Sequence, residues 1–246
     1  MAQAPMRSLL RRLHDDLPPV ALAGRLDARG AAIAVVAPAL YLVYHHHARP
    51  DAMAALVSPA ALGGTATYVA WYLATAVLFL AAPVALLLAL GEPLREYGLG
   101  PGRARLGAAV ACVLAAFMIP VVVVAAHART FASQYPLAPA AAASWRVFLP
   151  YEVAYVLYFV GWEAYWRSFL LFGLYRRIGV AAVWVTALPF ALAHLQKPEA
   201  EAFGSVVAAV ALGYLALRAR SFWWGALLHA VVAVAMDLAA SLGRLR

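Results

Sequence analysis

Tyr158-Phe159-Val160-Gly161-Trp162-Glu163-Ala164-Tyr165-Trp166-Arg167 places a carboxylate and a guanidinium inside an otherwise apolar run. At the centre of a bilayer each such side chain costs about 2.5–3.5 kcal/mol on insertion scales. Glu163 and Arg167 stand four residues apart, so a helix sets them on one face with the acid N-terminal, the better order for a pair. Eleven residues earlier is Glu152. Eleven residues is close to three helical turns, so Glu152 shares that face.

The rest of the chain agrees that this run lies in a membrane. Its 246 residues are 66% hydrophobic and only 12% charged, whereas soluble domains are about 45–50% apolar and about 25% charged. So little charge cannot cover a water-facing surface. Seven apolar runs fall near 31–48, 66–90, 106–126, 147–174, 180–196, 203–217 and 222–242. At roughly 20 residues per span, the expectation is an all-α integral membrane protein, a polytopic bundle of about seven to eight transmembrane helices.

The formal net charge of +8 would suggest nucleic acid in a soluble protein. Here the basic residues sit between apolar runs, which is topological anchoring; the bilayer is the expected partner and nucleic acid is not. With the N-terminus inside, the inner segments carry twelve Lys/Arg and the outer segments six, so the N-terminus is expected on the cytoplasmic side. Three regions follow: a basic cytoplasmic segment over 1–30, in which 8–22 has the pattern of a surface helix; N-terminal helices and a loop over 31–105; and a core over 106–246. Cys112 has no partner for a disulfide. The Arg- and Ala-rich composition with a single Lys fits a GC-rich bacterial genome, hence an inner membrane.

Two later apolar runs carry histidines, His194 in Phe190-Ala191-Leu192-Ala193-His194 and His229 in Gly225-Ala226-Leu227-Leu228-His229. A lone His on an apolar helix is usually a packing residue. Two of them with a carboxylate can hold a metal with an open position, or hold a water while the carboxylate takes its proton. The candidate set is therefore Glu163, His194 and His229, catalytic and, if a metal such as zinc is used, also its ligands. Arg167, Glu152 and Asp237 are the structural or orienting residues; Asp237 lies two turns past His229 and either orients its imidazole or caps polar contacts near the membrane surface.

The order Glu-x-x-x-Arg, Phe-x-x-x-His and a late His resembles the CPBP family of intramembrane proteases, which includes the type II CAAX prenyl endopeptidases and bacteriocin-processing proteins. Leu94-Arg95-Glu96-Tyr97-Gly98-Leu99 is similar to the segment preceding the core in bacterial members. The resemblance spans about 94–240. It implies an intramembrane endopeptidase acting on a lipidated or transmembrane peptide. The family motif opens with two glutamates, the first activating water and the second supporting the fold with the arginine. Glu163 matches the second, and Trp162 stands at the first. Pro198 and Ala233 stand where the family has asparagines that stabilise the oxyanion. Three functions remain open: a protease using Glu163 as base, with or without zinc; a degenerate relative that binds such peptides without cutting them; and a small-solute or proton transporter.

Overall fold

The computed structural model describes residues 27–245. The surface helix expected over 8–22 lies outside them. The described chain is helical, with α1 Ala28–His47, α2 Ala66–Ala89, α3 Ala104–Ala125, α4 Trp145–Glu163, α5 Gly173–Ile178, α6 Ala181–Leu192, α7 Glu199–Ala219 and α8 Trp223–Ser241. Between α4 and α5 the backbone runs without a break through a π-helix, Ala164–Phe172.

Five of these helices, α1, α2, α3, α7 and α8, are long and apolar enough to cross a membrane. Two expected spans do not meet that measure. In α4 the apolar character is diluted by Arg146, Glu152, Glu163 and three tyrosines, and α6 has only 12 residues against the roughly 20 a span requires. The outward surface is apolar: Val77 is 66% exposed, Val113 70%, Phe117 68% and Val207 72%, while Glu163, Arg167 and Asp237 are fully buried. That inversion of the soluble pattern is what lipid selects, because polar groups must find partners inside the protein.

The centre of the fold is α4 and the π-helix, packed on α2 and α8, with α3 behind α8 and α6 against α7. At the α2–α4 crossing Gly161 lies against the backbone of Ala76, where a Cβ would collide; small residues permit such close approach. All nine residues of the π-helix are buried. Tyr165 donates to the carbonyl of Ala37 at 2.8 Å, fastening this segment to α1. Ser168 donates to the carbonyl of Tyr97 at 2.6 Å, so its hydroxyl is occupied structurally.

One end of the bundle is closed by an ion network. Asp27 caps α1 by accepting from the Gly30 amide at 2.7 Å and pairs with Arg177 at 3.0 Å. Arg177 also reaches Glu92 at 2.7 Å, and Arg176 contacts the same carboxylate. Tyr97 donates to Glu92 at 3.0 Å. Burial pushes the Glu92 carboxyl up, but Arg177, Tyr97 and Arg176 together hold it below the usual carboxylate range. The hydrogen bond from Arg177 likewise holds Asp27 below its ordinary value.

Candidate intramembrane site

Glu163 ends α4 at the entrance to the π-helix, a backbone form that recurs at functional sites. Its two oxygens have different partners. Oε2 lies 3.1 Å from Nε of Arg167, and both residues are fully buried. The N–H does not point at the oxygen well enough for a hydrogen bond, so the contact is an ion pair. Oε1 lies 2.8 Å from Nδ1 of His229. Gly225 passes close enough to Oε2 for its missing Cβ to be in contact.

Phe190 organises the other side. Its ring centroid is 4.4 Å from Cζ of Arg167, a cation–π contact. The same ring is 4.7 Å from the His194 ring and 6.3 Å from the His229 ring. Its carbonyl is 2.8 Å from Nδ1 of His194. The only sequence signal for Phe190 is that it opens the Phe-x-x-x-His run.

These bonds fix both tautomers. A carbonyl can only accept, so Nδ1 of His194 carries the proton. A carboxylate can only accept, so Nδ1 of His229 does too. In each neutral ring Nε2 is then the basic nitrogen. Both imidazoles are part-exposed, while the carboxylate is sealed.

Trp162 is 4% exposed. Its ring is stacked on Tyr158 at 5.5 Å and lies edge-on to His194 at 6.4 Å. An indole therefore occupies the place beside His194 where the resemblance puts a glutamate.

Glu152 and Asp237 sit elsewhere. Each is the other's neighbouring acid across the α4–α8 contact. Among the described residues none of their four oxygens has a hydrogen-bond partner. Asp237 does not orient His229, because the Nδ1 it was expected to receive is taken by Glu163. The shared face of Glu152 and Glu163 does exist: α8 meets it twice, with His229 at one level and Asp237 at the other.

Zinc would need several lone pairs aimed at one point. Oε1 of Glu163 is committed to His229 and Oε2 faces Arg167. Among the described residues no group of three His, Cys, Asp or Glu side chains is arranged to hold a metal. The donor set of Glu163, His194 and His229 does not fit one.

The segment holding Glu152, Glu163, Arg167, His194 and His229 is also the one that a family comparison picks out. Residues 143–235 match the family model described as Rce1-like, type II CAAX prenyl endopeptidase Rce1-like. This core is similar to that family. The match supports the CPBP-type intramembrane proteases as its family and leaves α1 to α3 and Asp237 outside the matched segment. Neither the search of curated proteins nor that of solved structures gave a match. Within the matched segment stand Glu163, Arg167, His194 and His229, together with Trp162, Pro198 and Ala233, the positions at which the resemblance expects other residues.

Proposed function

We propose that this protein is an intramembrane endopeptidase of the CAAX-protease type, multi-pass in a bacterial inner membrane with its N-terminus cytoplasmic, that hydrolyses a peptide bond of a lipidated or transmembrane substrate. The observation that carries the reading is the pair of Nδ1 bonds, His229 to Glu163 and His194 to the Phe190 carbonyl. Two imidazoles whose basic nitrogens make no hydrogen bond among the described residues can hold a water and take its proton as it attacks the scissile carbonyl. The imidazolium then donates to the developing oxyanion and later to the leaving amine. Glu163 is a positioning residue here: it fixes the ring and tautomer of His229, as the acid of a triad does. Water exclusion by the surrounding aromatic rings strengthens these electrostatic terms.

The test is cleavage of a lipidated or transmembrane reporter by the purified full-length protein, read as a new N-terminus by mass spectrometry. His194→Ala is expected to lower the rate by about 10²-fold or more while the protein still accumulates. Undiminished cleavage in that variant rejects the site.

Trp162 favours a second reading. With no carboxylate beside His194, the same scaffold can bind such peptides without cutting them. Retention of the reporter with no new N-terminus in the unmodified protein decides for that reading.

A further inference from the structure

We propose that the arginine-rich end of the bundle holds the phosphate headgroup of an anionic membrane lipid. A cavity of about 310 Å³ there is lined by Arg95, Arg103, Arg176, Arg218 and Arg220, with Glu96 as the one carboxylate among the described lining residues and Phe172, Tyr175 and Leu217 as its apolar wall. Arg176 is engaged by Glu96 at 3.1 Å and by Glu92. Among the described residues Arg95, Arg103 and Arg220 make no ion pair with a carboxylate, and all three are exposed. Guanidinium groups drawn from four separate segments repel one another. An anion that bridges them offsets that repulsion, and the planar fork of Arg suits phosphate oxygens.

The wall is built to hold this arrangement. The loop from Gly98 to Arg103 is clamped onto the turn between α7 and α8. Arg103 N donates to the carbonyl of Ala219 at 2.6 Å and Phe222 N to that of Gly98 at 3.1 Å. The Ser221 hydroxyl donates to Gly100 O at 2.7 Å. Trp223 and Trp224 donate their indole N–H groups to Leu99 O at 2.8 Å and Pro101 O at 3.0 Å. Gly102 has φ +56 and presses on the carbonyl of Ala219, where no side chain fits. Arg220 itself takes a left-handed turn at φ 54, which ends α7 and sets its side chain in the cavity lining.

The depth argues for a lipid rather than a free anion. Trp223 and Trp224 are residues of the membrane–water boundary, and the apolar exterior of α3 begins beside them, with Leu106 39% exposed. A headgroup in the cavity leaves its acyl chains along that apolar face. Basic pockets at the ends of transmembrane helices bind anionic headgroups in this way. Phe172 and Tyr175 lie nine and twelve residues past Glu163, so the cavity is two to three turns along from Glu163, and neither Glu163 nor the histidines line it.

The test uses full-length protein in detergent, titrated with phosphatidylglycerol or phosphatidylcholine, with retained lipid read by native mass spectrometry. Phosphatidylglycerol should be retained at least ~10-fold better. The pair Arg103→Gln and Arg220→Asn should lose it by ~10-fold or more, at about one charge's contribution each; asparagine is chosen because it tolerates the left-handed turn. Arg95→Glu, on an exposed short helix, gives the same readout if the double variant does not fold. Equal retention of the two lipids, or unchanged phosphatidylglycerol in these variants, overturns the proposal. Complete displacement by inorganic phosphate assigns the cavity to the free anion and also overturns it.

Discussion

The Nδ1 of His229 on α8 lies 2.8 Å from Oε1 of Glu163 at the end of α4, across 66 positions of sequence. With Arg167 on the opposite oxygen, the carboxylate joins a structural cation to an imidazole at the edge of the site. Sealed and doubly engaged, it orients the imidazole in the proposed mechanism.

Amidation of this carboxylate gives a directional prediction. In Glu163→Gln the amide oxygen should turn to Arg167, which has only donors, leaving the NH₂ group towards Nδ1 of His229. Nδ1 must then accept, and the proton moves to Nε2. Cleavage should fall by about 10²–10⁴-fold, the range for a lost base and for a wrong tautomer. The nitrogen chemical shifts of His229 should report the exchanged tautomer. An unaltered imidazole with full activity would falsify the positioning role.

Removing Arg167 alone should be far worse than removing the pair. Arg167→Leu leaves a buried, uncompensated carboxylate, with an expected loss of about 3–5 kcal/mol. The double replacement of Glu163 and Arg167 by Leu should recover most of that stability, though not activity. Thermal unfolding of the two variants in detergent makes the comparison; equal loss in both would show that the pair is not the determinant.

Restoring the family's first glutamate should not restore a working site. Trp162→Glu removes a large ring from an aromatic cluster, at about 3–5 kcal/mol, and adds a buried charge without a donor. Accumulation in the membrane should drop sharply, while Trp162→Phe is tolerated. A well-folded Trp162→Glu protein with higher activity would show instead that the site beside His194 is roomy and wet.

The ion network at Glu92 sets an acid limit. Its carboxyl lies below the ordinary 4.5 when folded, so the folded state binds fewer protons there than the unfolded chain. The stabilisation is complete above about pH 4.5 and is lost as pH falls through the lowered folded value. The melting temperature should be flat above that point and fall below it. Glu92→Gln should flatten the acid limb and lower the plateau by about 1–3 kcal/mol, discounted because Arg176 is part-exposed.

Much of this was legible in the chain itself. The membrane class follows from composition, because so few charges cannot cover a wetted surface. Glu163 and Arg167 were identifiable as a pair because helical spacing alone brings them together. His194 and His229 stood out because a polar ring in an apolar run requires a partner. Less was legible where two segments meet. Asp237, two turns on along the same helix, was the acid the spacing offered for His229, and nothing in the spacing points to Glu163, 66 positions away. The length of α6 was hidden as well, since the apolar run continues past the end of the helix.

The sequence by itself determined that this is a helical membrane protein with expensive polar residues buried at known positions, since the cost of charge in lipid depends on residue type and run length. Only the tertiary structure decided which residues meet: His229 bonded to Glu163, Asp237 beside Glu152, Trp162 against His194, and five arginines around one cavity. Those pairings depend on the crossing and register of α4 and α8 and on the clamp between the 98–103 loop and the α7–α8 turn. Such long-range geometry is set by close packing at contacts like Gly161 on Ala76, and helical periodicity carries no record of it.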